Sequence, residues 1–227
     1  MQPCGISRPS LILVAIFPSI ALGLLNGLYL PQLAHESARL YWAADIAQWV
    51  LVPALSLWLL IKLGGVRPME FGFRSLAPRD SPFRVLGLIA FVTFLYWVAY
   101  DPVKAIAYGF FSSTAESNPF VHALPNAQPW RWLLVLYASL TAAVVEEPVF
   151  RGLPWLYFTT YSSAPEIPYI LSTSVLFAAI HWEQGIPGLL AAGSLGVVAA
   201  ALYTRIRNVW PFIAAHFFAG VWSYPWL

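Results

Sequence analysis

The stretch LLVLYASLTAAVVEEPVFRG, residues 133–152, joins a mostly apolar run to two adjacent glutamates and an arginine. The run 133–145 is typical of a membrane-spanning helix, and the charged residues follow it within one predicted span, 130–153. A charged side chain at mid-membrane costs at least about 2.5–3.5 kcal/mol, so such residues usually mark function. The stretch therefore predicts a membrane helix that carries a functional site.

The composition of the whole chain agrees with a membrane protein. Of its 227 residues, 59% are hydrophobic and only 10% charged, and the mean hydropathy is +0.69. An average soluble domain carries about 25% charged residues. The composition excludes an ordinary cytosolic enzyme and a disordered chain, and the single cysteine, Cys4, excludes a disulfide scaffold. The predicted fold is an all-α, polytopic transmembrane helical bundle.

Apolar runs long enough to cross a bilayer predict about seven spans. We expect the first to be a retained helix, since it is long for a signal peptide and lacks a cleavage signature. No soluble domain fits in the remainder, so residues 1–227 are expected to form a single integral membrane domain with a motif core at 130–226. The predicted spans are 10–30, 40–62, 83–108, 130–153, 168–183, 187–204 and 209–226.

The distribution of basic residues predicts the orientation. Arg8 precedes the first span, five Lys and Arg residues lie in 62–84, and Arg205 and Arg207 follow the sixth span. With seven spans, these three regions fall on one side of the membrane. The positive-inside rule then places the N-terminus in the cytoplasm, and we expect a bacterial inner membrane.

Small residues recur every four positions in the sixth predicted span, at Gly188, Ala192, Gly196 and Ala200. Such a stripe lets helix backbones approach closely within a bilayer. It predicts tight helix packing here rather than chemistry.

Three other charged residues, Asp45, Asp101 and Lys104, lie within a turn or two of the predicted outer ends of their spans. There they can extend toward the head groups of the lipids. We expect them to have this structural role.

The two glutamates at the end of span four are expected to have different surroundings. Glu147 and Arg151 are four residues apart and share a helix face, so they can pair. Glu146 is rotated by about 100° from Glu147 and can point elsewhere. A carboxylate left free beside a neutralised one suits a general base. The alternative is a structural ion pair at a helix end.

Two histidines lie late in apolar spans, His181 in FAAIH and His216 in FIAAH. Each alone is usually a packing residue. Together with the two glutamates they form a set on three predicted helices, and carboxylate with imidazole is what water activation needs. The water can be activated by a general base or through a metal held by Glu146, His181 and His216.

The order and spacing of these motifs resemble a known family. Glu-Glu-x-x-x-Arg at 146–151, Phe-x-x-x-His at 177–181 and the late His216 are similar to the CPBP family, the CAAX prenyl endopeptidase and bacteriocin-processing (Abi) proteins, which are glutamic-type intramembrane proteases. The resemblance implies a helical bundle with a cavity, in which Glu146 activates water with His181. It also implies that Glu147 and Arg151 hold the site and that His216 stabilises the oxyanion. No cofactor is expected, with a divalent metal such as zinc as the alternative.

One position departs from the family pattern. The last motif usually reads His-x-x-x-Asn or His-x-x-x-Asp, whereas Gly220 stands four residues after His216 here. Ser223 lies on nearly the same helix face and is a candidate substitute donor. We expect three residues to support the substrate or the oxyanion, namely Phe177, Gly220 and Ser223.

The function predicted is an intramembrane endopeptidase that cleaves near the C-terminus of membrane-anchored or lipidated proteins or peptides. Two substrate classes compete, a prenylated CAAX-type tail and a C-terminal protein-sorting tail, with a slight preference for the second. The alternative is a non-catalytic family member, acting as a bacteriocin immunity factor or a membrane scaffold. A proton-coupled transporter is disfavoured, since residues 1–110 lack a counterpart of the Glu/His set. The expected partners are the lipid bilayer and the membrane-anchored substrate, with no nucleic acid.

Overall fold

The computed structural model describes residues 7–76, 81–111, 123–125 and 127–223, and these residues form helices and turns. Cys4 lies outside the described residues. The prediction of a polytopic helical bundle is confirmed. The helices are α1 (Arg8–Glu36), α2 (Ala38–Ile46), α3 (Val52–Gly64), α4 (Pro82–Phe110), α5 (Gln128–Glu147), α6 (Leu153–Tyr161), α7 (Glu166–Ala179), α8 (Gly185–Ile206) and α9 (Trp210–Ser223).

Two single π-helical turns join neighbouring helices into longer segments. Ala47–Leu51 joins α2 to α3, and Pro148–Gly152 joins α5 to α6. Among the described residues, five segments are long and apolar enough to cross a membrane: Arg8–Glu36, Ala38–Gly64, Pro82–Phe110, Gln128–Tyr161 and Trp182–Ile206. The other two predicted spans correspond to α7 and α9. Each has 14 residues and so is about 21 Å long, short of the ~30 Å hydrocarbon core.

Two predicted helix ends were wrong. The fifth span was expected to reach residue 183, but α7 ends at Ala179 and His181 lies in the turn before a 3₁₀ turn, Trp182–Gln184. The His181 N–H bonds the carbonyl of Ala178, three residues back, which tightens the chain out of the α-helix. The fourth helical segment continues past 153 to Tyr161, through the π-turn Pro148–Gly152.

The small-residue stripe of α8 packs in the core, as predicted. Gly188, Ala192, Gly196 and Ala200 are all buried. A Cβ added at Gly196 would lie 2.9 Å from the Cα of Ser174, so the backbones of α7 and α8 are in direct contact there. This contact packs α7, the helix before the turn that carries His181, against α8.

The basic segments lie together at one end of the bundle. The Arg8 guanidinium pairs with Glu70, which lies in the loop that follows α3. The Val209 N–H donates to the Gly72 carbonyl (2.9 Å), and the Asn208 side chain donates to the Arg74 carbonyl (3.2 Å). The start of α1, the loop after α3 and the α8–α9 turn therefore share one end.

Candidate active site

Glu147, the last residue of α5, is neutralised from within its own helical segment. Its Oε2 lies 3.4 Å from Nε of Arg151, and the two side chains are 0% and 1% exposed. The predicted pairing is therefore confirmed. The π-turn Pro148–Gly152 lies between the two helices and keeps the segment continuous, so the arginine stays beside the carboxylate.

Arg151 is held mainly by charge and by an aromatic face. Its guanidinium carbon lies 4.4 Å from the centre of the Phe177 ring, a cation–π contact with α7. Within the described residues, its Nε and both terminal nitrogens are buried without a hydrogen-bond partner. Phe177 is 1% exposed, so the structure places it as a packing partner of the ion pair.

His216 of α9 reaches both glutamates. Its Nδ1 lies 2.8 Å from Oε1 of Glu147, and its Nε2 lies 3.8 Å from Oε2 of Glu146. Because a carboxylate accepts, Nδ1 donates to Glu147, and the ring is thereby fixed with Nε2 toward Glu146. The structure therefore brings three of the predicted site residues together across α5 and α9.

Glu146 and His181 line one cavity of about 110 Å³. Glu146 is 5% exposed, and its Oε2 has no hydrogen-bond partner among the described residues. The remaining lining comes from four parts of the chain, namely α1 (Asn26, Leu30), α2 with its π-turn (Tyr41, Asp45, Trp49), α5 (Ala138, Thr141, Ala142) and the α7–α8 turn (Ile180, Glu183, Gln184). The cavity is a polar space next to a carboxylate oxygen that accepts no hydrogen bond from the residues described.

The hydrogen bond of His181 fixes its tautomer. Nδ1 lies 2.7 Å from the carbonyl oxygen of Phe177. A carbonyl only accepts, so Nδ1 carries the proton and the neutral ring keeps its lone pair on Nε2. His181 is therefore able to accept a proton through Nε2.

Gly220 marks a close approach of α9 to α5. A Cβ added there would lie 2.9 Å from Oγ and 3.1 Å from Cβ of Ser139, which is 1% exposed. A larger side chain at this position would need the Ser139 side chain to move and the two helices to give by a few tenths of an ångström. Ser223 is the half-buried last residue of α9, and its role as a donor stays a prediction.

A metal held by Glu146, His181 and His216 was the predicted alternative. In the part of the chain that the structure describes, no group of three or more His, Cys, Asp or Glu side chains is arranged to hold a metal ion. Nδ1 of His216 is engaged by Glu147, and Nδ1 of His181 by a backbone carbonyl. These contacts leave Nε2 of each ring as the nitrogen available to a ligand, so the metal alternative stays a prediction.

A comparison with known proteins finds a family that matches the part of the chain with Glu146, Glu147, His181 and His216. A family model described as Rce1-like, type II CAAX prenyl endopeptidase Rce1-like, matches residues 128–222. The predicted family resemblance is confirmed. No curated protein and no solved structure matches the chain. The protein is thus a multi-pass integral membrane protein whose C-terminal part is similar to a protease family.

Two residues contribute to the site from outside the Rce1-like segment, residues 128–222. The contribution of neither residue was predicted from the sequence. The Tyr96 hydroxyl of α4 donates to Oε1 of Glu147 (3.1 Å) and is buried. With 11 tyrosines in the chain, nothing in the sequence distinguishes this one.

Asp45 was expected near the head groups, and this was wrong. It is 7% exposed and accepts a hydrogen bond from Tyr137 of the Rce1-like segment (2.9 Å).

Proposed function

We propose that this protein is an intramembrane endopeptidase that cleaves near the C-terminus of membrane-anchored or lipidated proteins or peptides. The observation that carries the proposal is the contrast between the two glutamates. Glu147 is ion-paired with Arg151 and accepts hydrogen bonds from His216 and Tyr96. Within the described part of the chain, Oε2 of Glu146 accepts no hydrogen bond and lies 3.8 Å from Nε2 of His216, and Glu146 lines a polar cavity with His181. One carboxylate is structural and the other is available for chemistry.

In the proposed reaction, Glu146 acts as the general base. A water in the cavity gives a proton to the Glu146 carboxylate while its oxygen attacks the carbonyl carbon of the scissile peptide. The lone pair on Nε2 of His181 accepts the water's second hydrogen as a hydrogen bond and so orients it. The carboxyl proton then passes to the departing amine, and the C–N bond breaks to give a carboxylic acid and a free amine.

His216 is proposed to stabilise the oxyanion of the tetrahedral intermediate. Its bond to Glu147 fixes the ring, and in the protonated form Nε2 carries a hydrogen directed toward the Glu146 side. With His216 protonated, the two glutamates, Arg151 and the imidazolium sum to zero charge. A preorganised donor in a water-poor site contributes about 10²–10³-fold to the rate of acyl transfer.

The position of the cavity favours a sorting-tail substrate. Asn26, which lines the cavity, lies 18 residues after Arg8 and thus about 27 Å along α1 from the basic end of the bundle. If the basic end faces the cytoplasm of a bacterial cell, the Asn26 side of the cavity lies toward the outer face of the inner membrane. A C-terminal sorting tail on an exported protein is accessible from that face.

A prenylated CAAX-type tail is the second candidate, and the similarity of residues 128–222 to type II CAAX prenyl endopeptidases supports it. Such tails are made in the cytoplasm, so this substrate requires the opposite orientation of the bundle or access through the membrane. The two classes therefore differ in the membrane face from which the substrate enters.

A reconstituted cleavage assay tests the proposal. The purified protein in liposomes is incubated with two reporters, a farnesylated CAAX peptide and a single-span protein with a C-terminal hydrophobic helix. We expect cleavage of the single-span reporter, none by Glu146→Gln, and full cleavage by Glu36→Gln, which removes an exposed carboxylate outside the cavity. If the wild-type protein cleaves neither reporter, the non-catalytic alternative replaces the proposal.

A further inference from the structure

The cavity has a second wall that the proposed reaction does not use. Tyr41, Asp45 and Trp49 are spaced four residues apart on α2 and its π-turn, and all three line the cavity. This spacing places them on one helix face. A carboxylate between two aromatic rings is a combination that binds cations, by charge and by the ring faces.

The charge of the cavity points to the same ligand. Three carboxylates line it, those of Asp45, Glu146 and Glu183, while no lysine or arginine is among its described lining residues. Besides the unpartnered Oε2 of the nine-tenths buried Glu146, Oε2 of Glu183 is buried without a hydrogen-bond partner in the described part of the chain. The cavity thus contains three carboxylates, and Asp45 is the one on the second wall, where a cation would be attracted by all three.

The second wall is rigidly held. The Tyr137 hydroxyl donates to Oδ2 of Asp45 (2.9 Å) and fixes the carboxylate against α5. One turn away, the Gln48 amide donates to Oδ1 of Asn26 (2.6 Å) and accepts from the Tyr29 hydroxyl, which ties the π-turn to α1. A preorganised wall loses little conformational entropy when a ligand binds.

The size of the cavity suits a small head group. The cavity volume of about 110 Å³ is several times the ~10–15 Å³ that a single water needs, so a charged end group larger than water fits. The apolar lining residues Leu30 and Ile180 suit an aliphatic stem behind a charged end.

We propose that the face formed by Tyr41, Asp45 and Trp49 binds the basic side chain, lysine or arginine, of a peptide substrate next to the bond that is cut. The identity of the ligand as a substrate rests on the proposed function. The binding of a cation at Asp45 does not, because it depends on the cavity alone.

Calorimetry with two isosteric probes tests the cation site without any cleavage. Butylguanidinium and its neutral analogue butylurea are titrated into the protein in a non-ionic detergent at constant ionic strength. We expect butylguanidinium to bind at least about tenfold more tightly than butylurea, since a hydrogen bond to a charged group contributes about 1.5–3 kcal/mol. Asp45→Asn, which keeps the shape and the acceptor for Tyr137, should remove this preference, and Glu36→Gln should keep it.

The outcomes separate this proposal from the proposed function. Equal binding of the two probes, no binding, or an unchanged preference in Asp45→Asn overturns the cation site. So does a preference that Glu146→Gln removes and Asp45→Asn retains, because the cation then lies at the other end of the cavity. A protein that binds butylguanidinium through Asp45 but cleaves no reporter contradicts the protease alone. For an active protein, replacing arginine by citrulline beside the cut bond should lower kcat/KM in the wild type and leave it unchanged in Asp45→Asn.

Discussion

Nδ1 of His216 lies 2.8 Å from Oε1 of Glu147, so an imidazole of α9 is bonded to a carboxylate that is itself fully buried at the end of α5. This contact joins the last helix of the bundle to the helix that carries both glutamates. It also leaves Nε2 of the same ring directed toward Glu146, 3.8 Å away. The position of His216 therefore depends on Glu147, and the two residues are expected to act as a unit.

Replacing His216 by glutamine should lower the rate of cleavage. Glutamine can still donate to Glu147 but places no second donor beside Glu146, so we expect kcat to fall by about 10²–10³-fold. Steady-state kinetics on the cleaved reporter measure this effect, with His35→Gln as the control because His35 lies in an exposed position at the end of α1. An unchanged kcat in His216→Gln would show that the ring is only a packing residue.

Removing the Tyr96 hydroxyl should destabilise the fold. Tyr96→Phe leaves a buried carboxylate without one of its donors, and we expect a loss of about 1.5–3 kcal/mol in the free energy of unfolding. Unfolding in a denaturing detergent titration gives the difference. Tyr108→Phe is the matched control on the same helix, since Tyr108 is 48% exposed and should change stability little. Equal stability of both variants would contradict the assigned role of Tyr96.

The ion pair of Glu147 and Arg151 should show strong coupling. Removing one buried partner leaves the other charge uncompensated and typically costs about 3–5 kcal/mol, so Arg151→Met is expected to unfold far more easily than the wild type. Glu147→Gln in the same chain removes that isolated charge. A double-mutant cycle should therefore show that the double variant is more stable than the sum of the single losses predicts. Additive losses would exclude direct pairing.

A methyl group added at Gly196 should separate two helices. Its Cβ would lie 2.9 Å from the backbone Cα of Ser174, and overpacking of this kind typically costs about 1–3 kcal/mol. The control is Gly87→Ala in α4, where an added Cβ meets nothing within 4 Å, and helix propensity predicts a gain of up to about 1 kcal/mol. Thermal unfolding in detergent compares the two variants. Equal effects of the two substitutions would contradict the close contact of α7 with α8.

The helical bundle was predictable from the sequence because apolar runs and small-residue spacing are local signals. The seven apolar segments and the packing of α8 were predicted from them, and so was the pairing of Glu147 with Arg151. The early end of α7 was not predictable, because a turn at His181 depends on which carbonyl its N–H finds. The two π-turns were not predictable either, because the sequence has no local signal for one residue inserted into a helix.

The part of the site contributed by the first four helices was not predictable either. From the sequence, Asp45 was expected at the membrane interface, because only its distance from the end of its predicted span is known. Its burial depends on contact with Tyr137, 92 positions later in the chain. Tyr96 likewise acquires its role only because α4 packs against the end of α5. Neither contact has a local signal.

The central claim is that Glu146 is the general base of a peptide hydrolysis, and the rate constant of Glu146→Gln on the cleaved reporter tests it most directly. Glutamine is isosteric and cannot accept the proton of water, so kcat should fall by about 10²–10⁴-fold while the unfolding midpoint stays close to that of the wild type. The Glu36→Gln variant should cleave at the wild-type rate in the same assay. A Glu146→Gln protein that folds and cleaves at the wild-type rate would contradict the account.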